Sequence, residues 1–256
     1  MSPRTTVLAI AALLLLAVGG GAVVWATFLR GDEVAPLALP STAPSAAGSQ
    51  VAAGSADPSS AAASLPPASA GAVDAASIPG TWTIGADSVV GYRVRERLAS
   101  LSADSDAVGR TNSITGSVTI AGSGTSLTVS KADFSVDMTT LASDKQMRDN
   151  RLRNQGIETD TFTTSTFSLT QPVALPAGAT TGTAVDVTLH GDLTLHGVTK
   201  SVDIPAKAQL NGNVIQVVGS LSFPFSDYNI VAPNIGNFVA VQDNGTLEFL
   251  VNLSKG

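Results

Sequence analysis

The chain has no cysteine among its 256 residues, which excludes disulfides, thiolate nucleophiles, cysteine zinc sites and an acylated lipoprotein anchor. Two histidines and three methionines leave few soft metal ligands, and neither a metal nor a cofactor is expected. Charged residues make up only 13%, and the net charge of −6 provides no basic face to neutralise phosphates, so nucleic acid is excluded as a partner. Aromatic residues reach only 5%. What is present is 44% hydrophobic residues, too many for disorder throughout, and 24 glycines among abundant Ser and Thr, which point to frequent turns in a β-rich body.

Residues 7–29 carry no charge and are bracketed by Arg4 and Arg30. As a helix these 23 positions reach roughly 35 Å, enough to cross a bilayer. A cleaved signal peptide is the rival reading, because Arg4, the run Leu13 to Leu16 and Gly19 to Gly21 fit its regions. The apolar run continues past that exit through Val23, Val24, Trp25 and Phe28, which favours an uncleaved transmembrane anchor over 1–30. Asp32 and Glu33 follow Arg30, and no Lys or Arg appears again before Arg93. The expected orientation therefore leaves the body on the extracytoplasmic side of the cytoplasmic membrane. Residues 31–78 are mostly Ala, Ser, Pro and Gly with four acidic side chains, a composition that cannot bury a core and reads as a disordered linker.

The body, 79–256, alternates with a period of two between Gly, Asn, Asp and Ser breaks, the pattern of half-buried antiparallel strands. Val90, Tyr92 and Val94 oppose Arg93, Arg95 and Arg97; Phe134 and Val136 oppose Asp133, Ser135 and Asp137. The cleanest alternation sets Val185, Val187, Leu189, Leu193 and Leu195 against Asp186, Thr188, His190, Asp192, Thr194 and His196. Further runs cover 202–210, 215–223 and 247–253. Only 143–155 reads as a helix, with Ser143 and Gln146 as a capping box and Asp144–Arg148 and Asp149–Arg153 as i,i+4 pairs. Asn244-Gly245 is a hairpin-turn signal of type I′. Eight to ten strands with one helix leave an all-β sandwich or closed barrel.

The chemistry available is sparse. His190 and His196 share the polar face of one strand, expected to be solvated, and lie about 20 Å apart, too far for one metal. No G-x-S-x-G elbow supports a hydrolase. Glu96 is the one carboxylate whose parity turns it inward, and pairing with a nearby arginine is the favoured reading over acid–base work. Arg148, Arg151 and Arg153 suit anionic oxygens such as pyrophosphate, although an exposed helix face balanced by Asp144 and Asp149 is favoured.

Several segments together resemble the YceI-like, polyisoprenoid-binding family: G-D-L-T-L-H-G-V-T-K at 191–200, M-R-D-N-R-L-R at 147–153 with E-T-D-T-F-T-T-S-T-F at 158–167, and S-V-V-G-Y-R-V-R-E at 88–96. V-G-R-T-N-S-I-T-G at 108–116 and L-E-F-L-V-N-L at 247–253 fit as well. The resemblance implies an eight-stranded antiparallel, lipocalin-like barrel with one short helix, and a non-enzymatic role holding a polyisoprenoid or quinone-like lipid. Tyr92, Val94, Phe134, Val136, Phe167, Val187, Leu189, Leu193, Phe223 and Phe249 are then the expected ligand-binding lining, with Arg148 and Arg151 at the opening. A structural or stress-response envelope domain with a packed interior is the alternative. Oligomeric state is left open.

Overall fold

The computed structural model describes residues 34–40, 77–98, 104–233 and 239–256. The expected anchor lies outside the described residues, as does all of the expected linker except 34–40 and 77–78. Among the described residues no helix is long and apolar enough to cross a membrane.

In chain order the strands are β1 (Gly80–Ile84), β2 (Val89–Leu98), β3 (Ser105–Thr111), β4 (Ile114–Ser123), β5 (Ser126–Asp137) and β6 (Ala142–Ser143), followed by helix α1 (Gln146–Leu152). Then come β7 (Thr164–Leu169), β8 (Val173–Ala174), β9 (Val185–Leu195), β10 (Val198–Asn211), β11 (Val214–Pro224), β12 (Val239–Val241) and β13 (Asn244–Lys255). All pairings are antiparallel. The ladder runs β1-β4-β5-β7-β9-β10-β11-β13 and returns to β1, while β2 and β3 prolong the β1 and β4 edges. The result is the closed eight-stranded barrel that the resemblance implied, which leaves no open edge along the ring.

The first stave is broken between β1, opposite Leu253–Lys255, and β2, opposite Thr246–Leu250. Residues 85–88 bow out there, and the backbone groups of Asn252 left facing the gap are recovered locally. Gly85 N donates to Asn252 O at 2.7 Å, and Asn252 N donates to Ser88 Oγ at 3.0 Å. Gln216 Nε2 donates to Asn252 Oδ1 at 3.0 Å, so this buried polar patch on the barrel wall is satisfied rather than orphaned.

Alternation places one parity inside, as the sequence pattern predicts: Val90, Tyr92 and Val94 of β2, Val187 and Leu189 of β9, and Phe249 and Val251 of β13 all line the interior. Three inward rings rest over glycines. A Cβ on Gly109 would come within 2.3 Å of the Tyr92 ring, one on Gly191 within 2.4 Å of Phe167, and one on Gly219 within 2.6 Å of Phe249. Tyr92 faces Gly109 and Phe249 faces Gly219 directly across their ladders. Close approach of ring to backbone requires glycine at those positions.

Three local expectations are corrected. The helix is shorter than 143–155, and its N-cap is Lys145 with no side-chain cap bond. Ser143 does not form a capping box with Gln146, because its hydroxyl and its N–H both donate to Asp149, at 2.7 Å and 3.0 Å; Asp149 is thereby drawn away from the i,i+4 pairing with Arg153. Asn244-Gly245 is not a turn: both residues lie in β13, paired with Pro224 and Phe223, and the chain runs on from β12 in the same direction along β2, with 242–243 a short interruption between the two strands. Gly245 is required there because a Cβ would meet the Phe225 ring at 2.8 Å.

Candidate functional site

The barrel encloses a cavity of about 990 Å³. At one end it is sealed: Ile78, Leu127, Leu210 and Leu253 are each no more than 6% exposed, and the Trp82 indole donates to Ile78 O at 2.9 Å, tying the entering chain across the floor. At the other end the lining reaches α1, Ile157, Phe225, Ile230 and Pro233. Met147 belongs to this lining and is 85% exposed, which marks the opening.

All twelve residues expected from sequence to contact a ligand line this one cavity. Tyr92 and Val94 come from β2, Phe134 and Val136 from β5, Phe167 from β7 and Val187, Leu189 and Leu193 from β9; Phe223 comes from β11, Phe249 from β13, and Arg148 and Arg151 from α1. They meet because alternation sends one side of every strand to the same axis. The body of the chamber is apolar, and the polar groups gather at the α1 end.

There, Glu96 at the far end of β2 accepts from Arg148 Nη2 at 2.8 Å, and both side chains are largely buried. Arg148 Nη1 donates to Asp144 Oδ1 at 2.6 Å and to Ser143 Oγ at 3.2 Å. Burial works against the Arg148 charge, but the Asp144 hydrogen bond and the Glu96 carboxylate outweigh it and hold the guanidinium above its ordinary value. Burial likewise disfavours the Asp144 carboxylate, yet the Arg148 hydrogen bond keeps it below the usual aspartate range. The expected pairing of Glu96 with an arginine is thus found. The expectation of a solvated arginine face holds for Arg153, which is exposed, and fails for Arg148, which turns into the mouth to meet Glu96.

Tyr92 stands beside this pair, and its hydroxyl is buried with no hydrogen-bond partner among the described residues. Burial drives the phenol well above its ordinary range, against the pull of the nearby Arg148 charge.

The two histidines do not share a surface. His190 is on the outer face, its Nδ1 2.6 Å from Asp203 Oδ1. His196 was expected on the same solvated face, but it falls in the β9–β10 turn with φ of 51°. The turn rotates its ring inward, where the side chain is 9% exposed, packs on Phe162 at 4.1 Å and lies 2.9 Å from Tyr228 O. Sequence reasoning also missed the lip residues Ile157 and Ile230, which sit in irregular segments without periodicity.

A sequence profile of the YceI-like domain matches residues 82–253. Among solved structures, a polyisoprenoid binding domain from Saccharophagus degradans implicated in plant cell wall breakdown superposes with a TM-score of 0.53 at 18% identity, covering 70% of this chain and 99% of that one. BcnA of Burkholderia cenocepacia gives 0.49 at 16% identity over 66% of this chain and 98% of its own. A YceI protein of Campylobacter jejuni gives 0.41 at 15% identity, covering 56% and 83%. Among proteins with curated descriptions, none matches.

Proposed function

Because the chain belongs to the YceI-like family, we propose that it is a membrane-tethered, extracytoplasmic binding protein that holds a polyisoprenoid or quinone-like lipid inside its barrel. The observation that carries this reading is the 990 Å³ apolar cavity, sealed at one end and open beside α1. A volume of this size lies at the upper end of the range for ligand sites, and an eight-stranded barrel has room for either filling side chains or one ligand. The similarity to a polyisoprenoid binding domain supports the ligand class. Burying one five-carbon isoprene unit gains at most about 4 kcal/mol before ordering costs, so a few units suffice for tight binding.

The tether rests on residues 7–29, and the orientation on Arg4 and on the absence of Lys and Arg between Arg30 and Arg93. We read the protein as a carrier rather than an enzyme, since Glu96, the carboxylate best placed for acid–base work, is occupied by Arg148. The alternative, a structural envelope domain with a packed interior, is disfavoured by the open volume. Extraction of the purified full-length protein with organic solvent, followed by mass spectrometry, tests the proposal. A co-purifying isoprenoid or quinone is expected; recovery of an empty protein that also fails to take up added isoprenoid overturns it.

A further inference from the structure

We infer that the mouth of the cavity is built to receive a neutral oxygen of the lipid headgroup, a hydroxyl or carbonyl bonded to Tyr92 Oη, and to disfavour a phosphate or pyrophosphate. This rests on the lipid-binding reading and specifies the ligand class within it.

The first observation is the orphaned phenol. The Tyr92 ring is held against Gly109, so its hydroxyl has a defined position on the cavity wall rather than a range of rotamers to choose from. That hydroxyl is buried, lines the cavity and has no partner among the described residues. A buried hydroxyl without a partner is unfavourable, and a ligand oxygen arriving beside it removes the penalty. Burial keeps the phenol protonated, so it is a donor at any physiological pH.

The second observation is how the charges at the mouth are committed. Glu96 and Asp144 line this end with Lys145, Arg148 and Arg151, and both carboxylates are paired with Arg148. Arg148, the most buried of the cations, has both terminal nitrogens committed, one to Glu96 and the other to Asp144 and Ser143. Its fork is therefore not free to take a phosphate in the bidentate manner that makes arginine a phosphate binder. A pyrophosphate that approached Arg148 would come to rest beside the Glu96 carboxylate, whose side chain is 8% exposed, and the two anions would compete for that guanidinium. A hydroxyl or carbonyl brings no charge and leaves the Glu96–Arg148 pair intact.

The test uses the full-length protein and three probes with the same branched tail: geranylgeraniol, geranylgeranyl diphosphate and the headless hydrocarbon phytane. Geranylgeraniol is expected to bind at least about tenfold more tightly than the diphosphate. Tyr92→Phe, which keeps the ring over Gly109, should weaken geranylgeraniol by roughly three- to tenfold and leave phytane unchanged. Glu96→Gln, checked for folding by circular dichroism, should narrow the gap between alcohol and diphosphate. A diphosphate that binds as well as the alcohol, or a Tyr92→Phe variant that treats alcohol and phytane alike, overturns the headgroup inference while leaving lipid binding standing. Failure of all three probes, phytane included, overturns the lipid-binding reading and this inference with it.

Discussion

Arg148 of α1 reaches Glu96 of β2 at 2.8 Å across a separation of 52 residues, so that the helix is fastened to the barrel rim by a largely buried ion pair. Removing only the cation leaves a carboxylate at 8% exposure without its guanidinium. Arg148→Gln is expected to cost on the order of 3 kcal/mol, seen as a lower urea midpoint. The double variant Glu96→Gln/Arg148→Gln should lose less than Arg148→Gln alone. Simple addition of the two single effects would show that the residues do not act as a pair.

On the outer wall Asp106 accepts from Arg93 at 3.1 Å and from Arg95 at 2.9 Å. Burial acts to raise its pKa, but the two guanidinium hydrogen bonds outweigh that and leave it lowered. A carboxyl depressed on folding contributes stability above its unfolded value of about 3.9, and that contribution is lost as the pH falls through the folded value. Asp106→Asn should therefore be less stable than the parent at pH 7, by at most about 1 kcal/mol, and the two should converge in acid once the pH has fallen below the folded value of Asp106. Urea midpoints at both pH values decide it, and a gap that persists in acid would assign the loss to packing.

Adjacent positions on β9 separate the chamber from the surface. Leu189 lines the cavity, whereas Thr188 is exposed on the outer face. Leu189→Asp should abolish uptake of geranylgeraniol, because an unpaired carboxylate in an apolar cavity costs several kcal/mol or stays protonated. Thr188→Asp should change uptake little, since a one-residue step reverses the face. Retained uptake in a folded Leu189→Asp variant would contradict a ligand at that depth.

The tether is open to a direct measurement. N-terminal sequencing of the mature protein is expected to find residues 7–29 still attached, with the protein in the membrane fraction. A mature start between Gly20 and Ala53 would replace the anchor with a cleaved signal.

The barrel was legible because its signal is local: alternation in β2, β9 and β13 needs no partner to be read, and closure followed from the family motifs. The mouth was legible only in part. Parity turned Glu96 inward, but which arginine it meets depends on how α1 folds back over the rim, a long-range contact without periodicity. Continuing the β9 alternation one residue too far misplaced His196, since a left-handed residue in the turn cancels the strand's two-residue rhythm. Asn244-Gly245 misled for the opposite reason. Its turn propensity is overridden by the β11–β13 register and by the Phe225 ring that occupies the space of a Cβ at 245.

The bore of the chamber is governed by residues that have no side chain. With Gly109, Gly191 and Gly219 in place, Tyr92, Phe167 and Phe249 lie flat along the staves. A single methyl at any of the three would tip a ring toward the axis, into the volume a guest must occupy. The width of the cavity is therefore set at three positions outside its lining, and substitutions there would narrow it while the lining residues stayed the same.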